Sequence, residues 1–338
     1  GVMLAGTALA ERRPVLDQIK VPHNYYFREM YLPQLTSGPS ALAWMPDGNA
    51  LVYSMQGSLW LQPIDSDTAT QLTDGPCYYF QPDVSPDVTE VVFVRYLADA
   101  LEIHRLNLDT GETSALTQGG AVNLEPRWSP DGGRLAFVST LDTGRFHVFV
   151  GEFSDGQLIA EPIVEERESS IERYYYSSFD HELSPVWAAD GQSLFYISNT
   201  EVPYGTGYIM RLSLEDGARP KLVRREETSW NASPDVAPDG RRIAYASYLG
   251  RQWHQLWVTH VDGDAEPFPL TYGNFDITAP RWSPDGSKIA YISNEGGDTA
   301  IQIQEFVGGR KVILEARNRE HRVPMFDLDL RVVDIYGK

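Results

Sequence analysis

The chain has 338 residues, of which 28 are lysine or arginine and 47 are aspartate or glutamate, so its formal net charge is −19. This balance argues against binding to nucleic acid or, by charge, to anionic membrane surfaces, because both partners attract clustered lysine and arginine. The single cysteine, Cys77, excludes an intrachain disulfide and a thiolate metal cage.

The first segment, residues 1–34, lies outside any repeat and is predicted to pack on the following domain or to close it. It starts with glycine rather than methionine, so we expect a processed or trimmed product. Its first ten residues read GVMLAGTALA. They end on Ala8-Leu9-Ala10, a small-residue pattern like the one that closes a secretory signal. A signal remnant and an ordinary small-residue segment are both compatible with this run.

Residues 35–320 contain six copies of one pattern. RWSPDGGRLAFVS begins at Arg127 and RWSPDGSKIAYIS begins at Arg281, and four weaker copies share their central aspartate. A strand-rich repeat with a period of 40 to 59 residues is typical of a β-propeller. The six aspartates are Asp47, Asp87, Asp131, Asp190, Asp239 and Asp285.

Each copy predicts two strands joined by a tight turn, followed by two more strands. In Ser129-Pro130-Asp131-Gly132 the proline sets φ, the aspartate bonds nearby backbone and the glycine accepts a positive φ. The apolar run from Leu135 to Val138 suits a strand buried on both faces, as in a blade between two neighbours. Four strands in six copies predict an all-β fold, a six-bladed β-propeller of four-stranded antiparallel blades.

Two residue types recur at the inner strand of the copies. Tryptophans occupy one position in four copies, and we interpret them as wedges between blades rather than as a ligand platform. Prolines recur four residues before the turn proline or its equivalent, where the missing N–H suits the start of a strand. The tryptophans are Trp44, Trp128, Trp187 and Trp282, and the prolines are Pro82, Pro126, Pro185, Pro234 and Pro280.

The PxWSPDGxxIAFxS pattern resembles the propeller repeat of the TolB family, over roughly residues 35–316. It is also similar to the N-terminal propeller of amidohydrolase-associated proteins. The resemblance implies a periplasmic or secreted, exported bacterial protein that binds a protein partner or another domain of its own chain. Propellers host many activities, so the motif is strong for fold and weak for function.

The axial channel is the predicted binding site, a polar funnel at the mouth where the chain enters each innermost strand. No G-x-S-x-G, phosphate-loop or H-E-x-x-H motif is present, and no histidines have ligand spacing, so no catalytic residue is predicted. The alternative is a solvated channel without a ligand. The predicted funnel residues are Gln81, Asn123, Glu125, Arg127, His181, Glu182, Asn231, Asp276 and Arg281.

A tyrosine-rich stretch beside the funnel is a second candidate, since tyrosine is common in recognition surfaces. It is either a recognition loop or a loop packed over the propeller. Its residues are Tyr174, Tyr175, Tyr176 and Phe179.

The last segment, residues 321–338, alternates apolar and polar side chains at Leu328, Leu330 and Val332, as a strand does. A lone terminal strand needs a partner. It therefore closes or packs on the propeller, or it begins a further domain.

Three functions follow from these features. The first is a non-enzymatic module that binds a protein or ligand in its funnel, without nucleic acid or membrane insertion. The second is a substrate-gating propeller of a larger metal-dependent amidohydrolase, a hydrolase whose catalytic domain would lie beyond residue 338. The third is a lactonase or lyase that holds Ca²⁺ in the channel through the oxygens of Asn123, Glu125, Glu182, Asn231 and Asp276.

Overall fold

The computed structural model describes residues 38–97, 100–165, 168–172, 179–200, 202, 207–228, 232–248, 253–297, 299–307, 311–314 and 317–318. The predicted N-terminal segment, 1–34, and the predicted C-terminal strand, 321–338, lie outside these residues. No helix long and apolar enough to cross a membrane occurs within the described ranges.

Six antiparallel sheets follow one another along the chain, each with four strands in the order predicted for a blade. The first three blades comprise β1 (Pro39–Trp44), β2 (Ala50–Met55), β3 (Ser58–Pro63) and β4 (Thr68–Gln71); β5 (Tyr78–Val84), β6 (Glu90–Leu97), β7 (Ala100–Asn107) and β8 (Thr113–Ala115); and β9 (Asn123–Trp128), β10 (Arg134–Ser139), β11 (His147–Ser154) and β12 (Gln157–Pro162). The last three comprise β13 (Glu182–Trp187), β14 (Ser193–Ser198), β15 (Gly207–Ser213) and β16 (Lys221–Thr228); β17 (Asp235–Val236), β18 (Arg242–Ser247), β19 (Gln255–His260) and β20 (Phe268–Pro269); and β21 (Ile277–Trp282), β22 (Lys288–Ser293), β23 (Ala300–Glu305) and β24 (Lys311–Ile313). The predicted all-β, six-bladed propeller is confirmed.

Burial is greatest in the second strand of each blade and falls off toward the rim. The second strand is apolar on both faces because it is sandwiched between neighbouring blades: Leu135, Ala136, Phe137 and Val138 of β10 are all buried. The outermost strand β12 alternates exposed and partly buried residues instead. The core is therefore a ring of packed second and third strands.

The ring closes between the sixth and first blades. Leu42 and Trp44 of blade 1 share one buried cluster with Ile292 and Ile301 of blade 6. A short strand β25 (Arg317–Asn318) then pairs in parallel with β4 at the outer edge of blade 1. The chain that follows the last blade thus returns to the first.

The Pro-Asp-Gly turns have the predicted chemistry. Asp285 accepts hydrogen bonds from the Ser283 hydroxyl (2.6 Å) and the Ser287 backbone N–H (3.0 Å), and these bonds lower the pKa of its carboxyl to about 2. Gly286 has a φ of 69°, in the left-handed region that favours glycine. The second copy departs from this rule, since Val88 stands at the glycine position with a φ of 64°.

Val88→Gly is expected to stabilise the protein by about 1 kcal/mol, because a β-branched residue in the left-handed region costs about 1–2 kcal/mol and glycine relieves it. Thermal unfolding of the variant and the wild type measures the difference. Gly286→Ala is the matched control and is expected to destabilise the protein, because alanine is strained at a positive φ. Its Cβ would meet only ordinary contacts, 3.6 Å from Pro238, so the cost is conformational and not steric. A lower midpoint for Val88→Gly would contradict the assignment of strain to this turn.

Candidate functional site

Five blades place a residue with positive φ on the channel axis, immediately before the repeated proline. A positive φ is unfavourable for a non-glycine residue, and a following proline restricts the backbone further. In four of these blades the strand pairing shifts register here, as it does at a β-bulge. Because the conformation recurs around the ring, it belongs to the repeat itself. These residues line an axial cavity of about 80 Å³. They are Gln81 (51°), Glu125 (53°), Ser184 (52°), Ser233 (38°) and Ala279 (50°).

Side chains of this ring connect blades 2, 3 and 4. The Gln81 Oε1 atom accepts a hydrogen bond from the Glu125 backbone N–H (3.0 Å). Glu125 in turn accepts from the Ser184 backbone N–H (2.6 Å) and hydroxyl (3.3 Å). Burial raises the pKa of Glu125, while the Ser184 bonds and the charge of Arg127 oppose that shift. Glu125 thus forms channel wall and ties two blades together.

The channel widens, on the face that carries the Pro-Asp-Gly turns, into a cavity of about 440 Å³ that we call the turn-face chamber. Turn prolines of five blades form its apolar rim. Its wall takes one residue from each inner strand, at the position after the repeated proline or its equivalent. These wall residues are Ala43, Asp83, Arg127, Val186, Asp235 and Arg281. An aspartate followed by an arginine therefore occurs twice around the wall.

The two aspartates are bound to the next blade. Asp83 accepts from the Trp128 backbone N–H (2.8 Å) and lies 3.3 Å from an Arg127 nitrogen. Asp235 accepts from the Trp282 backbone N–H (2.7 Å). Burial, together with the smaller effect of the Asp83 charge, raises the pKa of Asp235 to about 7, although the charge of Arg127 and the Trp282 hydrogen bond oppose the shift. The chamber thus holds one carboxyl that exchanges its proton near neutral pH.

Arg281 has unused hydrogen-bonding capacity in this chamber. Its Nη1 atom donates to the backbone carbonyls of Ser233 (3.3 Å) and Pro280 (2.6 Å). Its Nε atom is buried and bonds to nothing within the part of the chain that the structure describes. A buried donor of this kind favours a ligand that supplies an acceptor.

The structure brings four of the nine predicted funnel residues to the channel wall: Gln81, Glu125, Arg127 and Arg281. Asp276 instead accepts from the backbone N–H of His254 (2.9 Å) and lies 3.0 Å from its Nδ1 atom. Asn231 lies outside the described residues. None of these placements tests ligand binding, which stays a prediction.

The other three predicted residues lie between blades. Asn123 is buried and bonds to the Leu101 carbonyl and the Ser139 hydroxyl. Glu182 contacts the His147 Nδ1 atom in a buried pair. His181 is buried as well, and its backbone N–H donates to Asn199.

The proposed Ca²⁺ ligands do not converge: Glu125, Glu182 and Asp276 have separate partners. Among the described residues, no group of three or more His, Cys, Asp or Glu side chains is arranged to hold a metal.

Most of the predicted recognition loop lies outside the described residues. Tyr174, Tyr175 and Tyr176 lie outside the described residues. Phe179 pairs by a β-bridge with Glu168, and the guanidinium of Arg145 lies 3.7 Å from its ring centroid.

Sequence reasoning missed Asp83 and Asp235. The signal was present: Pro82-Asp83 and Pro234-Asp235 are each followed one copy later by Pro-Arg, at Arg127 and Arg281. Comparing the residue after the repeated proline across the copies would have found both.

Comparisons with known proteins agree with the architecture. A family model for the TolB beta propeller domain matches residues 33–263. The Tol-Pal system protein TolB of Francisella tularensis (subsp. tularensis, strain WY96-3418) is 26% identical over 267 residues, which cover 77% of this chain and 57% of that protein. The chain thus spans little more than half the length of this relative.

The solved structures that share this fold include proteins with different functions. TolB from Acinetobacter baumannii superposes with a TM-score of 0.62 at 19% identity, covering 86% of this chain and 67% of that one. Oligogalacturonate lyase from Vibrio parahaemolyticus superposes with a TM-score of 0.54 at 14% identity, covering 78% and 76%. At such identities the likeness establishes the fold alone.

Proposed function

The chain belongs to the TolB β-propeller domain family, and on that premise we propose that it binds an extended segment of a protein partner in the turn-face chamber. Export to the periplasm is part of this proposal, supported by the match to Tol-Pal system proteins. Binding, rather than catalysis, is the role that this site supports best.

The observation that carries the proposal is the wall of the chamber, which has both acidic and basic side chains with unused hydrogen-bonding capacity. Arg281 keeps a buried Nε donor, while the carboxyl of Asp235 has a pKa of about 7 and, among the described residues, accepts a single hydrogen bond, from the Trp282 backbone N–H. An extended peptide offers both N–H donors and C=O acceptors, so its backbone bonds to Asp235 and to Arg281.

The size and rim of the chamber support the same occupant. A cavity of about 440 Å³ is within the range of ordinary ligand sites. The rim of turn prolines, including Pro46, Pro130 and Pro284, gives apolar contact around a charged wall. Specific sites commonly combine such an apolar lining with a few polar groups that orient the ligand.

A random peptide library selected against the wild-type protein tests the proposal. We expect selected peptides to bind Arg281→Met about 10- to 100-fold more weakly, since a hydrogen bond to a charged group contributes about 1.5–3 kcal/mol. Isothermal titration calorimetry of the peptides measures this. Arg219→Met, which removes an exposed arginine between β15 and β16, is the matched control and should bind as the wild type does.

If the selected peptides bind Arg281→Met and the wild type with equal affinity, the peptide site lies outside the chamber. Failure to select any peptide that the wild type binds would overturn peptide binding altogether.

A further inference from the structure

Blades 3 and 6 carry the same aromatic pair at the face they turn toward the preceding blade. Trp128 stacks on Phe153, with ring centroids 5.4 Å apart. Trp282 meets Phe306 edge-on, with centroids 4.9 Å apart. The two junctions are therefore internal counterparts, and one serves as a reference for the other.

The junction of blades 5 and 6 is filled by an arginine of this chain. The guanidinium carbon of Arg242 lies 5.1 Å from the Trp282 ring and 4.4 Å from that of Phe306. Asp239 holds it with an oxygen 2.7 Å from Nη2. The same repeat position in blade 3 is Arg134, whose guanidinium lies 4.8 Å from the ring of Trp187. A cation from the preceding blade thus covers the tryptophan at two junctions.

The junction of blades 2 and 3 has no such cation, because Glu90 stands at this repeat position. A cavity of about 610 Å³ opens there, with Trp128 and Phe153 in its wall. The Trp128 side chain is partly exposed here, whereas Trp282 beneath Arg242 is only 5% exposed. The site therefore keeps the aromatic pair, but no guanidinium of a described residue is stacked on its rings.

The polar side of this cavity is mainly acidic. Asp87, Glu90 and Asp131 line it, and hydrogen bonds from Ser85 and Ser129 lower the pKa values of Asp87 and Asp131, so both are ionised at neutral pH. The cavity also contains Arg105, which lies 3.3 Å from a Glu90 oxygen and donates to Ser114. Three carboxylates against one guanidinium leave a net negative site.

From this comparison we infer that the cavity between blades 2 and 3 binds the guanidinium of an arginine supplied by a protein partner. The guanidinium lies over Trp128 and Phe153, as Arg242 does over Trp282 and Phe306, and Asp87, Glu90 or Asp131 accepts its hydrogen bonds. Arginine fits this site better than lysine because its planar group stacks on aromatic rings and also bonds carboxylates. This site goes beyond the proposed chamber, although Trp128 belongs to the walls of both cavities.

Nitrogen-labelled tryptophan indoles report on the site, and the probe is N-acetyl-arginine amide with its neutral isostere, N-acetyl-citrulline amide. Trp128→Phe assigns the indole signal. We expect saturable movement of the Trp128 signal at millimolar arginine amide, and at least about tenfold weaker binding of citrulline amide.

Three variants make the test decisive. Glu90→Arg should abolish the movement by filling the cavity as Arg242 fills its counterpart, and Glu90→Gln should weaken binding several-fold. Arg242→Glu should create a second responsive signal at Trp282. The unchanged positions of the remaining indole signals establish that each variant is folded.

The inference is overturned if Trp128 shows no saturable movement up to about 50 mM probe, or if citrulline amide acts equally. It also fails if Glu90→Arg responds as the wild type does. Arg281→Met should not alter this response, so failure here and failure of the proposed peptide chamber are distinguishable.

Discussion

Trp187→Ala is expected to lower the free energy of unfolding by about 3–5 kcal/mol, the cost of truncating a large buried aromatic residue. Trp187 is 5% exposed and is wedged between blades 3 and 4. Its Nε1 atom donates to the Arg127 carbonyl (3.0 Å), and Arg134 covers its ring. Truncation leaves a cavity between blades and removes both contacts. Urea unfolding followed by circular dichroism measures the loss.

Trp128→Ala is the matched control at the equivalent position of the previous blade. Trp128 is only partly buried, and its indole N–H forms no hydrogen bond with any described residue, so we expect a loss of about 1–2 kcal/mol. A greater loss for Trp128→Ala than for Trp187→Ala would contradict the interpretation of Trp187 as a wedge between blades.

Asp235→Asn is expected to remove a pH dependence of stability. The folded-state pKa of Asp235, about 7, lies above the ordinary value of 3.8 because burial disfavours the charged carboxylate. Its stabilising contribution is therefore complete below about pH 4 and is lost as pH rises through 7. Linkage predicts a loss of about 2–3 kcal/mol between pH 5 and pH 8. In the variant, the asparagine oxygen still accepts from Trp282.

The measurement is the difference in unfolding free energy between pH 5 and pH 8, compared between wild type and variant. His104 has the opposite effect on the pH dependence of stability. Burial lowers its pKa to about 4, so it destabilises the folded protein as pH falls below 6.5. It is common to both proteins, so the comparison isolates Asp235 together with its influence on Asp83. Asp109→Asn, on an exposed turn, controls for the loss of one charge. An identical pH slope in wild type and Asp235→Asn would contradict the raised pKa.

The strand order and the turns could be predicted from the sequence because they rest on local chemistry that recurs in all six copies. Proline, aspartate and glycine define each turn within four residues, and apolar runs such as Leu135 to Val138 follow each turn. Val88 replaces the glycine in the second copy and Ala189 replaces the proline in the fourth, and both turns still form. Repetition averages out the ambiguity that a single strand would leave.

The composition of the channel was only partly predictable, because strand alternation fails in the inner strands. Asn123 and Glu125 are two residues apart and would share a face of a regular strand. The bulge at Glu125, with its positive φ, breaks the alternation, so Glu125 and Arg127 reach the channel while Asn123 lies between blades.

By itself, then, the sequence determined the number of blades, their strands and their turns, because each depends on residues close together in the chain. Only the tertiary structure decided which side chains share the channel. Asp83 and Asp235 come together with Arg127 because ring closure brings together inner strands that are remote in sequence. Charge neighbours across a ring depend on the order of the blades, which no single copy of the repeat encodes, and on the bulge, which strand alternation does not predict.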